Sequence, residues 1–314
     1  MIYVEMYGRL GNQFFRYAAA RAIQKKYYPN EKLIISLDQI KKLGESDSSF
    51  YNVLQDYNVA PYEIYEKDGK VIFKESSIKQ KIICTLYYFG LNKIPVKNMN
   101  GQVAYQKKWE ETLSKNGIYW YRNGLHKIQQ SKCRNKFVSG NFESSKYFNE
   151  IRDDLLQEFT PKHSPLEKNS GLYEKIQKTN SICVSIRRGD FESNAEIKSL
   201  HSVCNKEYFT NAIKKIKELI ENPVFILFSD DIAWAKSNIN TECETYYEDG
   251  TDPVWEKLRM MSECKHFIIS NSTFSWWAQY LSTNSNKIVI SPSRWFNNDF
   301  ESLLIENSFV KINV

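Results

Sequence analysis

Short apolar runs alternate with amphipathic stretches along the second half of the chain, and this alternation constrains the fold more than any other feature. In a parallel α/β sheet each strand needs a crossover, usually a helix, before the next strand begins. We therefore expect a doubly wound parallel sheet here. Its strands are predicted over residues 182–186, 224–228, 266–269 and 287–292.

The first half of the chain is less regular. Residues 40–135 are polar and aromatic, with a few helical pieces, and we expect irregular insertions there. The strands predicted in this half cover residues 2–7, 33–37 and 136–142. The segment TPKHSP at residues 160–165 contains two prolines and is the predicted linker. We therefore place two domains at residues 1–160 and 161–314.

Composition narrows the class of protein. The formal net charge is +6 and no lysine- and arginine-rich block occurs, which argues against a nucleic-acid-binding protein and agrees with a small anionic ligand or an anionic membrane surface. The six cysteines form no CxxC pair, as is typical of a reducing compartment. The first residues lack the pattern of a signal peptide. We expect a cytoplasmic enzyme, with peripheral contact to the inner membrane surface as a further expectation.

Charged residues follow the predicted strand 182–186 directly, in the order Arg187, Arg188, Gly189, Asp190. Ligands of open α/β sheets bind at the carboxyl ends of strands. Guanidinium groups bind phosphate through two parallel, charge-assisted hydrogen bonds. The segment therefore predicts an anion site, and a surface cluster of salt bridges is the alternative.

A polar turn joins the strand 266–269 to an apolar helix, and it reads Ser270, Asn271, Ser272, Thr273, Phe274, Ser275. Backbone N–H groups at a helix start, together with hydroxyl groups, can hold a phosphate without a metal. We predict that the residues from Asn271 to Ser275 bind a phosphate group. The alternative is that a serine or threonine only caps the helix.

Two further strand ends carry candidate ligand-binding residues. Asp230 and Asp231 follow the strand 224–228 and are predicted either to accept hydrogen bonds from a base or ribose, or to cap the next helix. Near the start of the chain, Gly8 and Gly11 are predicted to lie between a strand and a helix, where Gly11 and Asn12 would cradle the ligand. A tight turn that needs glycine only for steric reasons is the alternative for this loop.

No metal site is predicted. The chain contains no DxD pair of the kind that holds Mg²⁺ or Mn²⁺ against a diphosphate, and its four histidines show no ligand spacing. The arginines and the helix start would have to neutralise a diphosphate themselves.

Seven segments together resemble the bacterial branch of the alpha-1,2-fucosyltransferase family. In chain order they are GRLGNQFFRYAAARAI, GNFESSKYF, VSIRRGDF, EYFTNAI, FILFSDDIAWAK, MSECKHFIISNSTFSWWAQYL and ISPSRWF. Each segment alone is a weak signal, but seven in family order over nearly the whole chain are specific.

The resemblance implies a GT-B fold, with two Rossmann-like domains and a donor/acceptor cleft between them. It implies an N-terminal acceptor-side domain and a C-terminal domain that binds GDP-β-L-fucose. The acceptor would be the 2-hydroxyl of a galactose residue in a glycan such as an O-antigen, with inversion at the sugar and no metal or cofactor. By the same resemblance Arg188 contacts the β-phosphate, and the turn from Asn271 to Ser275 binds the diphosphate.

One position departs from the family pattern, because Ser185 stands where the family has a histidine two residues before the first arginine. We infer a structural role for this position. Arg187 and Arg188 are predicted to stabilise the departing GDP, while a carboxylate takes the proton of the acceptor hydroxyl. Asp190 is the first candidate for this base and Glu192 the second. Asp190 could instead only orient an arginine.

Two alternatives to this function stay open. One is a fucosyltransferase of another linkage. The other is a non-catalytic nucleotide-sugar or glycan-binding protein on the same fold. Fucose transfer from GDP-fucose, tested on several galactosides, distinguishes the catalytic functions from the binding protein.

Overall fold

The computed structural model describes residues 1–189 and 195–314, and of residues 196 and 197 it describes only the backbone. The chain divides into two compact units, which we call unit 1 (Met1–Thr160) and unit 2 (Pro161–Val314). Each unit contains one parallel β-sheet with helices.

Unit 1 contains a five-stranded sheet in the order β3-β2-β1-β5-β4, with parallel pairing throughout. Its strands are β1 (Ile2–Glu5), β2 (Leu33–Ser36), β3 (Tyr62–Ile64), β4 (Ile118–Tyr119) and β5 (Lys136–Val138). Its helices are α1 (Leu10–Tyr27), α2 (Asp38–Gly44), α3 (Val71–Glu75), α4 (Ile78–Asn92), α5 (Met99–Lys115) and α6 (Arg152–Glu158). Short 3-10 helices lie at Val53–Asp56, Ser145–Tyr147 and Asn149–Ile151.

The expectation of irregular insertions over residues 40–135 is wrong in part. This stretch supplies two strands of the sheet, β3 and β4, and two long helices, α4 and α5. The strands are only three and two residues long, too short for an alternating pattern to show in the sequence. Strand β5 is also shorter than predicted. It ends at Val138, although the backbone N–H groups of Ser139 and Asn141 still donate to the carbonyl oxygens of Tyr119 and Tyr121.

Unit 2 contains a six-stranded sheet in the order β11-β10-β9-β6-β7-β8, and all of its strand pairs are parallel. Its strands are β6 (Asn180–Ile186), β7 (Pro223–Ser229), β8 (Thr245–Tyr247), β9 (His266–Ile269), β10 (Val289–Pro292) and β11 (Val310–Ile312). Its described helices are α7 (Ser170–Lys178), α8 (Ala195–His201), α9 (Lys206–Leu219), α10 (Ile232–Asn238), α11 (Val254–Glu263) and α12 (Thr273–Leu281), with a 3-10 helix at Glu167–Asn169.

Strand β6 lies in the middle of this sheet and is buried on both faces from Ser181 to Ile186. Its side chains Ile182 and Val184 belong to the same core cluster as Tyr208 and Phe209 of α9. Burying one side chain of this size stabilises a fold by about 1.5–3 kcal/mol. The core therefore holds the carboxyl end of β6 in a fixed place.

Strand order reverses once in each sheet. In unit 2 the chain runs from β6 to β7 and β8 on one side, and then crosses to β9 on the other. In unit 1 it runs from β1 to β2 and β3, and later returns to place β5 beside β1. Ligands of open α/β sheets bind at the carboxyl ends of the strands that flank such a reversal. The pairs β6–β9 and β1–β5 therefore mark the two edges where a site is expected.

Candidate functional site

The two arginines after β6 are held by one carboxylate. Arg187 Nη1 lies 2.8 Å from Asp230 Oδ2, and the backbone N–H of Arg188 donates to Asp230 Oδ1 at 2.9 Å. Asp230 follows β7, the neighbour of β6, so the pairing of the two strands brings these groups together. Asp230 thereby positions the arginine segment.

The guanidinium of Arg188 packs on the ring of Trp234, with the Arg188 Cζ atom 4.0 Å from the ring centroid. The Nε of Arg188 lies 3.5 Å from Asp231 Oδ2. Asp231 Oδ1 in turn accepts a hydrogen bond at 3.0 Å from the backbone N–H of Trp234. Asp231 is thus the N-cap of α10, which is one of the two roles predicted for it. Stacking and the ion pair together limit the rotamers available to Arg188.

Gly189 is required by a close approach. A Cβ atom at this position would lie 2.6 Å from Asp230 Oδ2, closer than non-bonded atoms can come. That carboxylate cannot easily move away, since it already binds both Arg187 and Arg188. The order Arg-Arg-Gly therefore has a steric reason that the sequence alone did not show.

At the carboxyl end of β9, three buried hydroxyl groups form a chain. The Oγ of Ser275 lies 2.6 Å from that of Ser185 and 3.1 Å from that of Ser270. Ser185, at the position of the family histidine, therefore connects β6 to the first turn of α12. This contact agrees with the structural role inferred for Ser185.

The start of α12 has the features expected of an anion site. Ser272 is its N-cap but its side chain makes no capping hydrogen bond, so the capping alternative is wrong for Ser272. The first N–H groups of a helix have no partner inside the helix. Residues Ser272, Thr273 and Phe274 are half-exposed. Since β6 and β9 pair, the arginine segment and this helix start follow adjacent strands.

Asn271 is buried and holds two other segments. Its Nδ2 donates to the carbonyl oxygens of His201, at 2.8 Å, and Trp295, at 2.9 Å. Within the described part of the chain its Oδ1 is buried without a hydrogen-bond partner. The amide thus fixes the end of α8 and the segment after β10, while its predicted contact with a donor stays a prediction.

The loop of unit 1 differs from the prediction. Gly8 lies between β1 and α1 with a φ of +78°, a conformation that favours glycine. Helix α1 already begins at Leu10, however, so Gly11 lies in its first turn and not in the loop before it. Asn12 lies in the same turn, and the predicted contact of both residues with a ligand stays a prediction. The side chain of Gln13 closes the turn by donating to the Gly8 carbonyl at 2.9 Å.

A buried arginine lies at the carboxyl ends of β1 and β5. Arg16 Nη1 donates to the Glu5 carbonyl oxygen at 2.7 Å, and Nη2 donates to Asn141 Oδ1 at 3.3 Å. The side chain is 8% exposed, and among the described residues its Nε has no hydrogen-bond partner. Burial lowers the pKa of Arg16 to about 10, so the guanidinium stays charged at neutral pH.

The carboxyl groups of Glu5 and Glu143 interact electrostatically with the positive charge of Arg16. Glu5 accepts a hydrogen bond from the hydroxyl of Ser139, and its Oε1 is buried without a partner among the described residues. Burial raises the pKa of Glu143 from 4.5 to about 7, while the positive charge of Arg16 opposes the rise. A carboxyl group with this pKa changes its charge near neutral pH.

Acidic residues of unit 2 form one cluster that could hold a metal ion, as judged over the described residues: Glu248, Asp249 and Asp252. Lys168 Nζ lies 2.7 Å from Asp252 Oδ1 and 3.1 Å from Asp249 Oδ2, and Lys257 Nζ lies 3.3 Å from Glu248 Oε2. The two ammonium groups already neutralise most of the charge that would bind a cation.

A family model described as Glycosyl transferase family 11 matches residues 1–313. The chain belongs to glycosyl transferase family 11. The resemblance to bacterial alpha-1,2-fucosyltransferases is confirmed by this match and by the relatives of the chain. The chain is therefore a glycosyltransferase.

Three relatives show how the similarity is distributed. WbnK of Escherichia coli, an O-antigen biosynthesis glycosyltransferase, is 27% identical over 97% of this chain and 98% of its own length. An alpha-1,2-colitosyltransferase of Escherichia coli is 36% identical over 51% of this chain and 56% of that protein. Galactoside 2-alpha-L-fucosyltransferase SEC1 of Bos taurus is 25% identical over 44% of this chain and 40% of its own length.

The fold of the family 11 chain is GT-B. Among solved structures, NodZ alpha-1,6-fucosyltransferase, crystallised with GDP, superposes with a TM-score of 0.50 at 11% identity. The superposition covers 88% of this chain and 91% of NodZ. At this identity the likeness shows the fold alone.

In this family 11 chain the structure brings together Arg187, Arg188, Asp230 and Asp231. The candidate bases Asp190 and Glu192 lie outside the described residues, so their assignment stays a prediction. Gly11 and Asn12 belong to unit 1, whereas the arginines belong to unit 2.

Sequence reasoning missed the polar cluster of unit 1. Asn141 and Glu143 lie three and five residues after the end of β5, whereas the arginines follow β6 directly. The rule that ligands bind at strand ends could have found them. Their segment, GNFESSKYF, is also one of the seven segments that carry the family resemblance.

Proposed function

We propose that this glycosyltransferase transfers L-fucose from GDP-β-L-fucose to the 2-hydroxyl of a galactose residue in a glycan, with inversion and without a metal ion. The observation that carries the proposal is the pair Arg187 and Arg188, held by Asp230 beside the start of α12. Several relatives are named as galactoside 2-alpha-L-fucosyltransferase or galactoside alpha-(1,2)-fucosyltransferase. These names support both the alpha-1,2 linkage and fucose as the transferred sugar.

Unit 2 is the proposed donor domain. Two guanidinium groups and a helix N-terminus on adjacent parallel strands suit a diphosphate, because each offers N–H donors and positive charge. NodZ, which shares the fold, was crystallised with GDP. Arg188 is proposed to contact the β-phosphate, and the turn from Asn271 to Ser275 the rest of the diphosphate.

The chemical step is a single in-line displacement. The acceptor oxygen bonds to C1 of fucose while the bond from C1 to the phosphate oxygen breaks, and the electron pair leaves with GDP. The arginines stabilise the charge that develops on the leaving diphosphate. Asp190 is proposed to take the hydroxyl proton, with Glu192 as the second candidate.

Unit 1 is the proposed acceptor domain. Its polar edge offers the hydrogen-bonding groups that sugar hydroxyls need, from Asn141 and Glu143, and the ring of Tyr7 is 45% exposed. An exposed aromatic ring can cover the apolar face of a hexose. Glu143 is proposed to accept a hydrogen bond from an acceptor hydroxyl when it is ionised.

A second candidate concerns the donor sugar. The relative with 36% identity is named as an alpha-1,2-colitosyltransferase. A colitosyl group is therefore the alternative to fucose, with the same leaving group and the same displacement.

The proposed compartment is the cytoplasm, because all six cysteines are free.

The experiment is a transfer assay with purified protein, in which GDP-fucose and the corresponding colitosyl donor are offered with a series of galactosides. The expected product is an alpha-1,2-fucosyl galactoside, identified by linkage analysis. Faster transfer of colitose would select the second candidate. GDP binding without transfer from either donor would contradict catalysis and favour a binding protein.

A further inference from the structure

Exposed apolar side chains are concentrated in one place. Of the seven large hydrophobic residues described as exposed, five lie on α4 or just after it, and the other two, Tyr7 and Leu219, are far away in the sequence. The five are Ile78 (79% exposed), Ile82 (56%), Leu86 (57%), Phe89 (63%) and Val96 (70%). Such a concentration marks an interaction surface more strongly than single exposed residues do.

Helix α4 has a buried face and, opposite it, an exposed apolar face. Its buried residues Gln80, Cys84, Tyr87 and Leu91 are spaced by four, three and four positions and face the core of unit 1. Its exposed residues Ile78, Ile82, Leu86 and Phe89 are spaced by four, four and three positions. At about 100° per residue the two stripes lie on opposite sides of the helix. The core explains the first stripe and leaves the second unexplained.

Along the sequence, the charged residues next to the exposed stripe are basic. Between Glu75 and Glu110 the chain has no acidic residue and no arginine, but it has six lysines: Lys79, Lys81, Lys93, Lys97, Lys107 and Lys108. All six are exposed. The ammonium group of Lys93 lies 4.4 Å from the ring centroid of Phe89, so positive charge directly borders the apolar stripe.

We propose that this face of α4, together with Val96, binds the surface of a membrane that contains anionic phospholipids. An interfacial helix places apolar side chains at the boundary of headgroups and acyl chains, while lysines beside them pair with anionic headgroups. No helix in the described part of the chain is long and apolar enough to cross a membrane. The inference does not rest on the proposed sugar transfer.

The positive charge of the lysines favours an anionic lipid surface over a second copy of the chain as the binding partner of this face. Two copies that met through this face would bring two sets of like-charged lysines together, and this repulsion opposes association. An anionic bilayer attracts the same lysines. Lysine stems are also long enough to keep their ammonium groups at the headgroups while Ile82 or Phe89 enters the apolar layer.

The test is cosedimentation of the full chain with vesicles of equal parts phosphatidylcholine and phosphatidylglycerol, beside vesicles of phosphatidylcholine alone. We expect binding to the anionic vesicles that weakens as salt is added. The double variant Ile82→Ser/Phe89→Ser should weaken this binding by at least about tenfold, because two apolar side chains no longer enter the bilayer. The matched control is Leu219→Ser, which removes an exposed apolar side chain of unit 2.

A second pair of variants tests the charge. Lys79→Glu/Lys81→Glu should weaken binding to anionic vesicles by at least about tenfold. Lys206→Glu/Lys214→Glu, which makes the same change in net charge on α9, should have a much smaller effect. Since all these side chains are exposed, thermal unfolding should show that each variant is folded.

Three outcomes would overturn the proposal. These are no binding of the wild type to anionic vesicles, equal loss in the α4 and control variants, and dimerisation that Ile82→Ser/Phe89→Ser abolishes without any vesicle binding. The last, measured by analytical ultracentrifugation, would assign the stripe to a second copy of the chain.

Discussion

The carboxyl edges of the two sheets use arginine and carboxylate in opposite ways. In unit 2 the carboxylates of Asp230 and Asp231 accept hydrogen bonds from Arg188 and Trp234, and they hold partly exposed guanidinium groups in place. In unit 1 the buried group is the guanidinium of Arg16. Glu143 beside it is a half-buried carboxyl group whose pKa is raised to about 7.

The difference shows how the carboxyl edge of a parallel sheet can bind two different kinds of ligand. Where carboxylates are occupied by hydrogen bonds they position cations, and the cations are available to an anion. Where a carboxylate is desolvated, its pKa is raised, its charge depends on pH, and it can accept a hydrogen bond from a neutral ligand when it is ionised. We therefore expect substitutions in unit 2 to affect the donor and the chemical step, and those in unit 1 to affect the acceptor.

Asp190→Asn should have the largest effect. If Asp190 is the base on the donor side, the asparagine variant keeps its size but cannot take a proton, and kcat should fall by roughly 10²–10⁴-fold. GDP affinity, measured by calorimetry, should change little. Glu192→Gln is the control. Weakened GDP affinity with a normal kcat would instead show that Asp190 orients an arginine.

Arg188→Lys should lower kcat/KM for GDP-fucose by roughly 10²-fold or more. A lysine keeps the charge but loses the fork that binds two oxygens and the stacking on Trp234. Steady-state kinetics with varied donor would measure this, with Arg134→Lys in unit 1 as the matched control. Near-normal turnover of the lysine variant would exclude a bidentate contact to the diphosphate.

Glu143→Gln should raise KM for the acceptor by about tenfold, as expected for loss of a hydrogen bond to a charged group. The carboxyl group ionises as pH rises through about 7, so in the wild type KM for the acceptor should fall over that range. The glutamine variant should lack this pH dependence. A loss in kcat with KM unchanged would move the base from Asp190 to Glu143 and end the division between the two edges.

Chelation should have the smallest effect. If the arginines and the start of α12 neutralise the diphosphate, then transfer in EDTA should equal transfer without it. Initial rates before and after dialysis against EDTA would test this, with added Mn²⁺ or Mg²⁺ as the control. Activity lost to EDTA and restored by a metal would show that unit 2 does not bind the diphosphate by itself.

Much of the fold follows from local patterns. Strands β6, β7, β9 and β10 lie within a few residues of their predicted positions, because each buried parallel strand is a short apolar run between polar turns. Strands β3 and β4 were missed, since their pairing comes from neighbouring strands and not from their own two or three residues. Helix α1 starts earlier than expected, because it includes Gly11, a residue type that disfavours helices.

The sequence by itself determined the alternation of strands and helices, the arginines at the end of β6 and the polar turn before α12, because each of these is encoded by neighbouring residues. Only the tertiary structure decided that Asp230 holds both arginines, that Ser185 bonds to Ser275, and that one apolar stripe of α4 stays exposed. The raised pKa of Glu143 also belongs to this second group. Contacts between distant residues and the loss of water around a side chain depend on how the whole chain packs, and no local pattern contains them.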